Sequence, residues 1–453
     1  MAAVSVMWFR RDLRVGDHPA LAAAVEAGDV LPLFVVDPVL MERSGAPRAA
    51  HLHDCLLALR ESTDGHLVVR HGDPTEIVPA LAAETGAETV FVTRDHGPYG
   101  RRRDAEVADR LRSDDRKLRG VGCNYALEPG SVRKRDGDPY AVFTPFSRVW
   151  FDVLAGESYS VPGDVTAADG TCDGRPIAWT TVDGDDPPGR PDPGCELPPA
   201  GEAAALERWR EYLVADGRGV RDYDQHRDDP AADATSHLSP HLKWGAIHPR
   251  RLLSDLHAGN GIRGDGPRTF ASELAWRDFY ADVLFQRPAT AWSNLNPKMD
   301  TMRLDRDDAA RELFQQWCDG RTGFPIVDAG MRQLLATGWM HNRVRMIVAS
   351  FLVKDLHLPW QWGARHFLDH LVDGDLASNN HGWQWAAGTG TDAAPYFRVF
   401  NPTRQFERYD PDGDYVRRWV DDFDTDRYPD PMVDHAAERD EALARYKEVS
   451  GRS

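Results

Sequence analysis

The sequence predicts two folds in one chain: an N-terminal α/β domain with a parallel, Rossmann-like sheet, followed by an all-α domain. Three observations predict this. Over the first 130 or so residues, short apolar runs alternate with helical patterns, and strands joined by helical crossovers form a parallel sheet covered on both faces. Beyond residue 201, apolar residues recur at three-to-four spacing with no alternating strand pattern. Between them lies a stretch crowded with Pro, Gly and Asp. The expected organisation is therefore residues 1–130 as the α/β domain, 131–200 as a connection and 201–453 as the helical domain.

The elements follow in order. VSVMWF from Val4 reads as a strand, then a helix around Leu21–Val25, VLPLFVV from Val30 and a helix around His51–Leu59. HLVVR from His66, a helix around Ile77–Ala83, TVFVT from Thr89 and a helix around Arg103–Leu111 complete the pattern. No G-x-G-x-x-G follows the first strand, so a dinucleotide at that turn is unsupported. DGDDPPGRPDPG in the connection cannot form a helix or a central strand. ALERWREYL, RRLLSDLH, FASELAWRDFYADVLF, VDAGMRQLLATGW and VRMIVASFLV then read as helices.

Composition narrows the class. A hydrophobic content of 42% supports a real core and excludes wholesale disorder. There is no apolar run long enough to span a membrane and no secretory-signal pattern at the N-terminus. Five Cys, an odd number without a C-x-x-C, argue against a disulfide framework or a zinc site. A cytoplasmic protein is expected. The net charge is −18, with 53 Asp against 19 Glu and 6 Lys against 48 Arg. An acidic, Lys-poor surface suits a high-salt cytoplasm, where repulsion is screened. Bulk charge alone speaks against nucleic acid, which needs a positive footprint. The decisive feature is then local: a DNA-binding face should be less acidic than the rest.

Chemistry concentrates late in the chain. Most of the 14 Trp lie beyond residue 200, densest in PWQWG and GWQWAAG. Aromatic clusters in helical domains are usually core. However, GDLASNNHGWQWAAGTGTDAAPYFRVFNP mixes Asn, Gly, Thr and Asp among the aromatics, and Gly lets a backbone approach a ligand closely. Arg residues sit beside aromatics in Trp276-Arg277 and Phe397-Arg398, the interleaving used for stacking plus phosphate contact. Glu273 and Arg277 are four apart and share a helix face, with Trp276 beside them. His237 and His241 have the spacing of helix ligands, but Pro240 interrupts and they read as structural. Thr235, Ser236 and Ser239 read as a turn or helix cap, or as hydroxyls for a diphosphate. Asp373 and Asp375 read as a turn or as half of a metal site lacking a third ligand.

Several long motifs, in order, resemble the photolyase/cryptochrome family. They are MWFRRDLRVGDHPAL, TSHLSPHLKWGAIHP, ELAWRDFY, GRTGFPIVDAGMRQLLATGWMHNRVRM, ASFLVKDL and DGDLASNNHGWQWAAGTGTDAAPYFRVFNP. The resemblance covers nearly the whole chain and is strongest to class I enzymes for cyclobutane pyrimidine dimers, with a halophilic archaeon as the expected source. It implies an antenna domain, a helical domain holding FAD, and light-driven repair of UV-damaged DNA whose dimer is flipped into a pocket. A blue-light photoreceptor without repair activity is the alternative.

The resemblance also implies residue roles. Tyr223, Thr235, Ser236, Leu238 and Ser239 look like the phosphate and ribose cradle. Asn342 and Asn379 look like the flavin-facing asparagines, and Arg345, Asp373 and Asp375 like the charges beside the ring. Glu273 resembles the acid at the base, Met346 a dimer contact, and Trp276 and Trp385 the stacking walls. Arg227, Arg277, Arg343 and Arg398 fall where the family holds DNA phosphates. Trp383 and Trp360 match two members of an electron-transfer chain, while the third position falls at Leu304 or Asp307. PYGRRRD (Pro98–Asp104), the loop from Ser44 and Ala291-Trp292 favour 8-hydroxy-5-deazaflavin as antenna over methenyltetrahydrofolate. A monomer without a metal is implied.

Overall fold

The computed structural model describes residues 3–156, 170–257, 262–392 and 398–451. A five-stranded sheet forms from β1 (Val4–Phe9), β2 (Asp29–Val36), β3 (Val68–His71), β4 (Thr89–Arg94) and β5 (Lys117–Cys123), in the order β3-β2-β1-β4-β5. Every pairing is parallel. Val, Leu and Phe dominate β1 and β2 because both their faces are buried. The crossovers carry α1 (Pro19–Ala27), α2 (Pro38–Met41), α3 (Ala46–Ser62), α4 (Pro74–Thr85) and α5 (Pro98–Ser113). Each begins with a Pro in its first turn, where the missing N–H costs nothing.

The helical region comprises α6 (Phe143–Gly156), α7 (Gly201–Val214), α8 (Tyr223–His226), α9 (Ser239–Trp244), α10 (Pro249–Leu256), α11 (Asp265–Gln286) and α12 (Asp308–Cys318). It continues with α13 (Pro325–Thr337), α14 (Asn342–Lys354), α15 (Trp360–His370), α16 (Leu376–Ala387), α17 (Pro402–Tyr409), α18 (Asp414–Trp419) and α19 (His435–Ser450). The stretch expected as connection is divided in its allegiance. Its early part belongs to the helical core: Phe146, Trp150 and Leu154 of α6 pack with Trp209, Phe270 and Phe279. Buried Asp278 of α11 fastens it by accepting from Ala126 N, Leu127 N and Trp150 Nε1. Its later part straps the sheet, with Val30 N donating to Ala178 O and Asp185 N to Val69 O.

Part of the Asp excess has local work. Asp37, Asp73, Asp307, Asp375 and Asp434 cap helix N-termini through their carboxylates. Among the described residues, the non-glycine positions with positive φ are all Asp or His, and a short polar side chain tolerates that conformation best.

The cavity described below lies where α11, α14, α15 and α16 converge. Gly363 lets α15 and α16 close together: a Cβ there would lie 2.1 Å from Trp383 Cη2 and 2.6 Å from Leu352 Cδ2. Gly363→Ala is expected to cost about 1–3 kcal/mol by overpacking and to turn the Trp383 ring. Thermal melting together with the bound-flavin content of the purified variant checks this.

Candidate active site

One cavity of about 490 Å³ falls within the range of cofactor sites. The sequence-predicted residues Tyr223, Arg227, Ser236, Ser239, Glu273, Trp276, Arg277, Asn342, Arg345 and Met346 line it, as do Asp373, Asp375, Asn379, Trp383 and Trp385. Residues 223 and 385 are thereby brought to one hollow by α8, α9, α11, α14 and α16. Thr235, Leu238, Trp360, Arg343 and Arg398 lie outside the lining. Lys243, Tyr280, Phe270 and Phe367 line it without having been singled out in the sequence.

At one end, Arg208 holds the Thr235–Ser236 loop by donating to both carbonyls, at 3.0 and 2.9 Å. The residue preceding α9 is Leu238, which is buried, and no side chain caps that helix. The cap reading of these hydroxyls therefore fails, and Thr235 Oγ1 is left buried without a partner. His237 bonds Asp233 and lies against the Trp339 ring, a structural role.

Deeper in, Arg345 makes a two-pronged pair with buried Asp373, at 3.3 and 2.9 Å, and donates from Nε to Met340 O. Asp375 caps α16 by accepting from Ala377 N and Ser378 N and meets Arg11 at 2.6 Å. Each carboxylate is thus spent on an Arg or a helix end, and among the described residues no cluster of three or more His, Cys, Asp or Glu could hold a metal ion. Arg11, Lys243 and Arg277 hold the Asp375 carboxyl well below the ordinary range against the penalty of burial. Burial pushes the Lys243 ammonium well below its own, with Arg11 adding to the effect. On α16, Asn379 donates from Nδ2 to Ala364 O and Asn380 Oδ1, so its carbonyl oxygen is the atom available to a ligand. Trp383, four residues on, is buried with Nε1 unpartnered.

At the mouth, Glu273 and Trp276 share α11 with Arg277. Glu273 keeps 31% of its side chain exposed and pairs with Arg227 at 2.7 Å. Burial pushes its carboxyl above the ordinary range, while Arg227 pulls it back. Arg343 pairs with Asp228 at 2.8 Å and lies over the Tyr409 ring. Arg277 donates to Asn124 O and Leu242 O, tying the α/β domain to α9. Arg398 is exposed, and its carbonyl accepts from Lys354; Phe397 lies outside the described residues. The rim is locally balanced, not strongly positive.

Trp360 is buried and donates to Asn294 Oδ1. Asp307 caps α12 and Leu304 is half-buried. Trp317, outside the expected chain, meets Trp383 edge-on at 6.1 Å.

The cavity fits FAD in three respects: the hydroxyls of Tyr223, Ser236 and Ser239 at one end, a buried unpartnered donor in the lining (Trp383 Nε1), and an Arg345–Asp373 pair that offers charge and hydrogen bonds to a polar ring. The crest of the sheet does not fit an antenna as it stands. Tyr99 Oη donates to Asp37, and Arg10 and Arg103 both grip Asp104 while lying over Trp8. The hollow bounded by Arg10, Arg11, Asp95 and His96 holds about 10 Å³, room for about one water.

Comparison with known proteins matches this architecture. The family model described as DNA photolyase matches residues 5–163, and that of the FAD binding domain of DNA photolyase matches residues 270–425. A deoxyribodipyrimidine photo-lyase of Streptomyces griseus is 40% identical, covering 99% of this chain and 99% of that protein. The chain belongs to the photolyase/cryptochrome family. The Halobacterium salinarum deoxyribodipyrimidine photo-lyase is 37% identical over 99% of this chain and 100% of that photolyase. A solved class III photolyase from Agrobacterium tumefaciens superposes with TM-score 0.84 at 36% identity, covering 100% of this chain and 98% of that one. The class III label belongs to that structure.

Proposed function

We propose that this photolyase-family chain is a deoxyribodipyrimidine photo-lyase, which repairs cyclobutane pyrimidine dimers in UV-damaged DNA using light. The observation that carries the reading is the meeting of Glu273, Trp276, Met346, Asn379 and Trp385 around one cavity. Reduced FAD, when bound and excited, supplies the electron that opens the dimer and receives it back, with no net redox change. The chain's own residues supply position and charge. Trp276 and Trp385 offer flat faces to an extruded base, whose unstacking costs least at a lesion. Glu273, whose carboxyl burial pushes up and Arg227 pulls back, offers its carboxyl group to the base once Arg227 turns to a phosphate. Arg343 and Arg398 take neighbouring phosphates, and Arg277, already holding two carbonyls, adds charge to the rim. Arg345 favours a negative charge on a ligand ring beside it, and Asn342 and the carbonyl oxygen of Asn379 complete the ring's hydrogen-bond partners. Tyr223, Ser236 and Ser239 frame the phosphate end, and Thr235 and Leu238 belong to the same loop without reaching the lining.

The test is anaerobic reduction, addition of thymine-dimer DNA and illumination. Dimer loss dependent on light is expected. Intact dimers with light-dependent capture of a protein partner would make the chain a photoreceptor instead. The second chromophore, where one binds, is proposed as 8-hydroxy-5-deazaflavin ahead of methenyltetrahydrofolate. Adding each compound to flavin-loaded protein decides: a retained deazaflavin absorbance supports the proposal, and retained folate overturns it. The protein is proposed to act as a monomer in a salt-rich cytoplasm. Among the described residues, no helix is long and apolar enough to cross a membrane.

A further inference from the structure

Phe143, the first residue of α6, stacks face to face on Trp276, with ring centroids 3.7 Å apart and planes 9° from parallel. Trp276 lines the cavity and Phe143 does not, so Phe143 covers the face of the indole turned away from the cavity. Phe279 meets the same indole edge-on at 5.7 Å, and Tyr280 lies tilted against it at 5.3 Å. The placement of Phe143 is itself pinned. Its backbone N–H donates to both carboxylate oxygens of Asp392, at 3.3 and 3.1 Å, which supplies α6 with an acceptor at its N-terminus from a distant segment. Asp392 holds this position with φ of 55°. It follows α16, which carries Asn379, Trp383 and Trp385, and stands six residues before Arg398 in the chain.

We propose that Phe143 is a positioning residue for damage recognition: it sets the plane of Trp276 so that the opposite indole face receives the extruded base, and Asp392 ties this wall to the segment after α16. The proposal rests on Trp276 being a base-stacking wall. A half-exposed indole with one free face and no backing would sample several rotamers and lose that freedom on each binding event. Backing by a coplanar ring removes that cost in advance.

The experiment compares Phe143→Ala, Phe143→Leu and Phe143→Tyr with Trp276→Ala in the flavin-loaded enzyme. It reads affinity for dimer-containing and undamaged DNA, flavin content and melting temperature. Phe143→Ala and Phe143→Leu are expected to weaken dimer binding about two- to tenfold, the cost of freezing one mobile side chain, with undamaged DNA unaffected. Phe143→Tyr is expected to bind as the unaltered protein does. Phe143→Leu keeps most of the volume and covers the case in which the Ala variant folds poorly. Adding Phe143→Ala to Trp276→Ala is expected to cost nothing more, because the two act as a unit. Full dimer affinity in the Leu variant, an equal loss on undamaged DNA, or additive losses in the double variant would overturn the proposal while leaving the repair reading intact. A Trp276→Ala variant with unchanged dimer affinity would overturn the wall and this proposal together.

Discussion

Trp276→Ala is expected to weaken binding of dimer-containing DNA by about 1–3 kcal/mol, the scale of one base–aromatic stack, which is roughly five- to 150-fold. The indole is half-buried at the cavity mouth, so its loss opens space without leaving a buried polar group, and folding should be little affected. Flavin content should also hold, because the residues that tie down the deeper end, Arg345, Asp373 and Asp375, do not depend on Trp276. Affinity for undamaged DNA should move little, since unflipped bases do not reach the cavity. A titration of both DNAs, with the flavin spectrum as a fold control, measures the difference. Equal affinity of the variant and the unaltered protein for dimer DNA would remove Trp276 from the site.

Asp375→Asn should act by another route. Asn keeps an oxygen to cap α16 but loses the charge that answers Arg11 and the nearby Lys243 and Arg277. Leaving partly buried cations without their counter-charge is expected to cost roughly 3 kcal/mol, at the low end for breaking a buried pair because Arg11 keeps 28% of its side chain exposed. Asn379 and Trp383, which line the cavity and are proposed to face the flavin, ride on the same helix, so flavin retention should fall with stability. The pH dependence has a definite sign. The folded-state pKa of Asp375 lies below the ordinary carboxylate value, so its stabilisation is present above about pH 4 and is lost as pH falls further. The stability gap between the unaltered protein and the variant should therefore narrow below about pH 4. Denaturant melts at neutral and acid pH check this, and a gap that widens in acid would refute it.

The first four strands in the chain are legible because buried parallel strands are written as continuous apolar runs, as VSVMWF and VLPLFVV show. The fifth, β5, is not. KLRGVGC sits at the sheet edge with exposed or half-buried positions, and Gly120 faces the Arg94 side chain so closely that a Cβ would lie 2.6 Å from its Cγ. Helix α6 was hidden by the Pro- and Gly-rich composition around it, although Phe146, Trp150 and Leu154 at four-residue spacing carry the signal. At the site, residues inside the long motifs could be read. Lys243 stood within one of them and drew no notice, because a Lys in a helix is ordinarily solvated, and only tertiary packing buries this one. The pairs Arg343–Asp228 and Arg227–Glu273 join residues far apart in the chain, and no spacing rule announces them.

Those pairs have a consequence for how the proposed DNA contacts would respond to salt. DNA carries a condensed atmosphere of cations, and a free Arg that neutralises a phosphate gains affinity by releasing one of them; that gain dwindles as the surrounding salt rises. In the proposed complex Arg227 and Arg343 would arrive at the phosphate with their own anions, Glu273 and Asp228. The carboxylate each sets free takes up a cation as the phosphate gives one up, and the exchange nearly cancels. If Arg227, Arg343 and Arg398 were all unpaired, three contacts would give a log–log salt slope of about −2.7; with two of them pre-paired, a slope nearer about −1 is expected. Titrations of dimer DNA across a range of KCl concentrations measure it. Under the proposed function, the acidic partners would exchange strong attraction to any DNA for an affinity that survives concentrated salt, leaving discrimination to the stacked base.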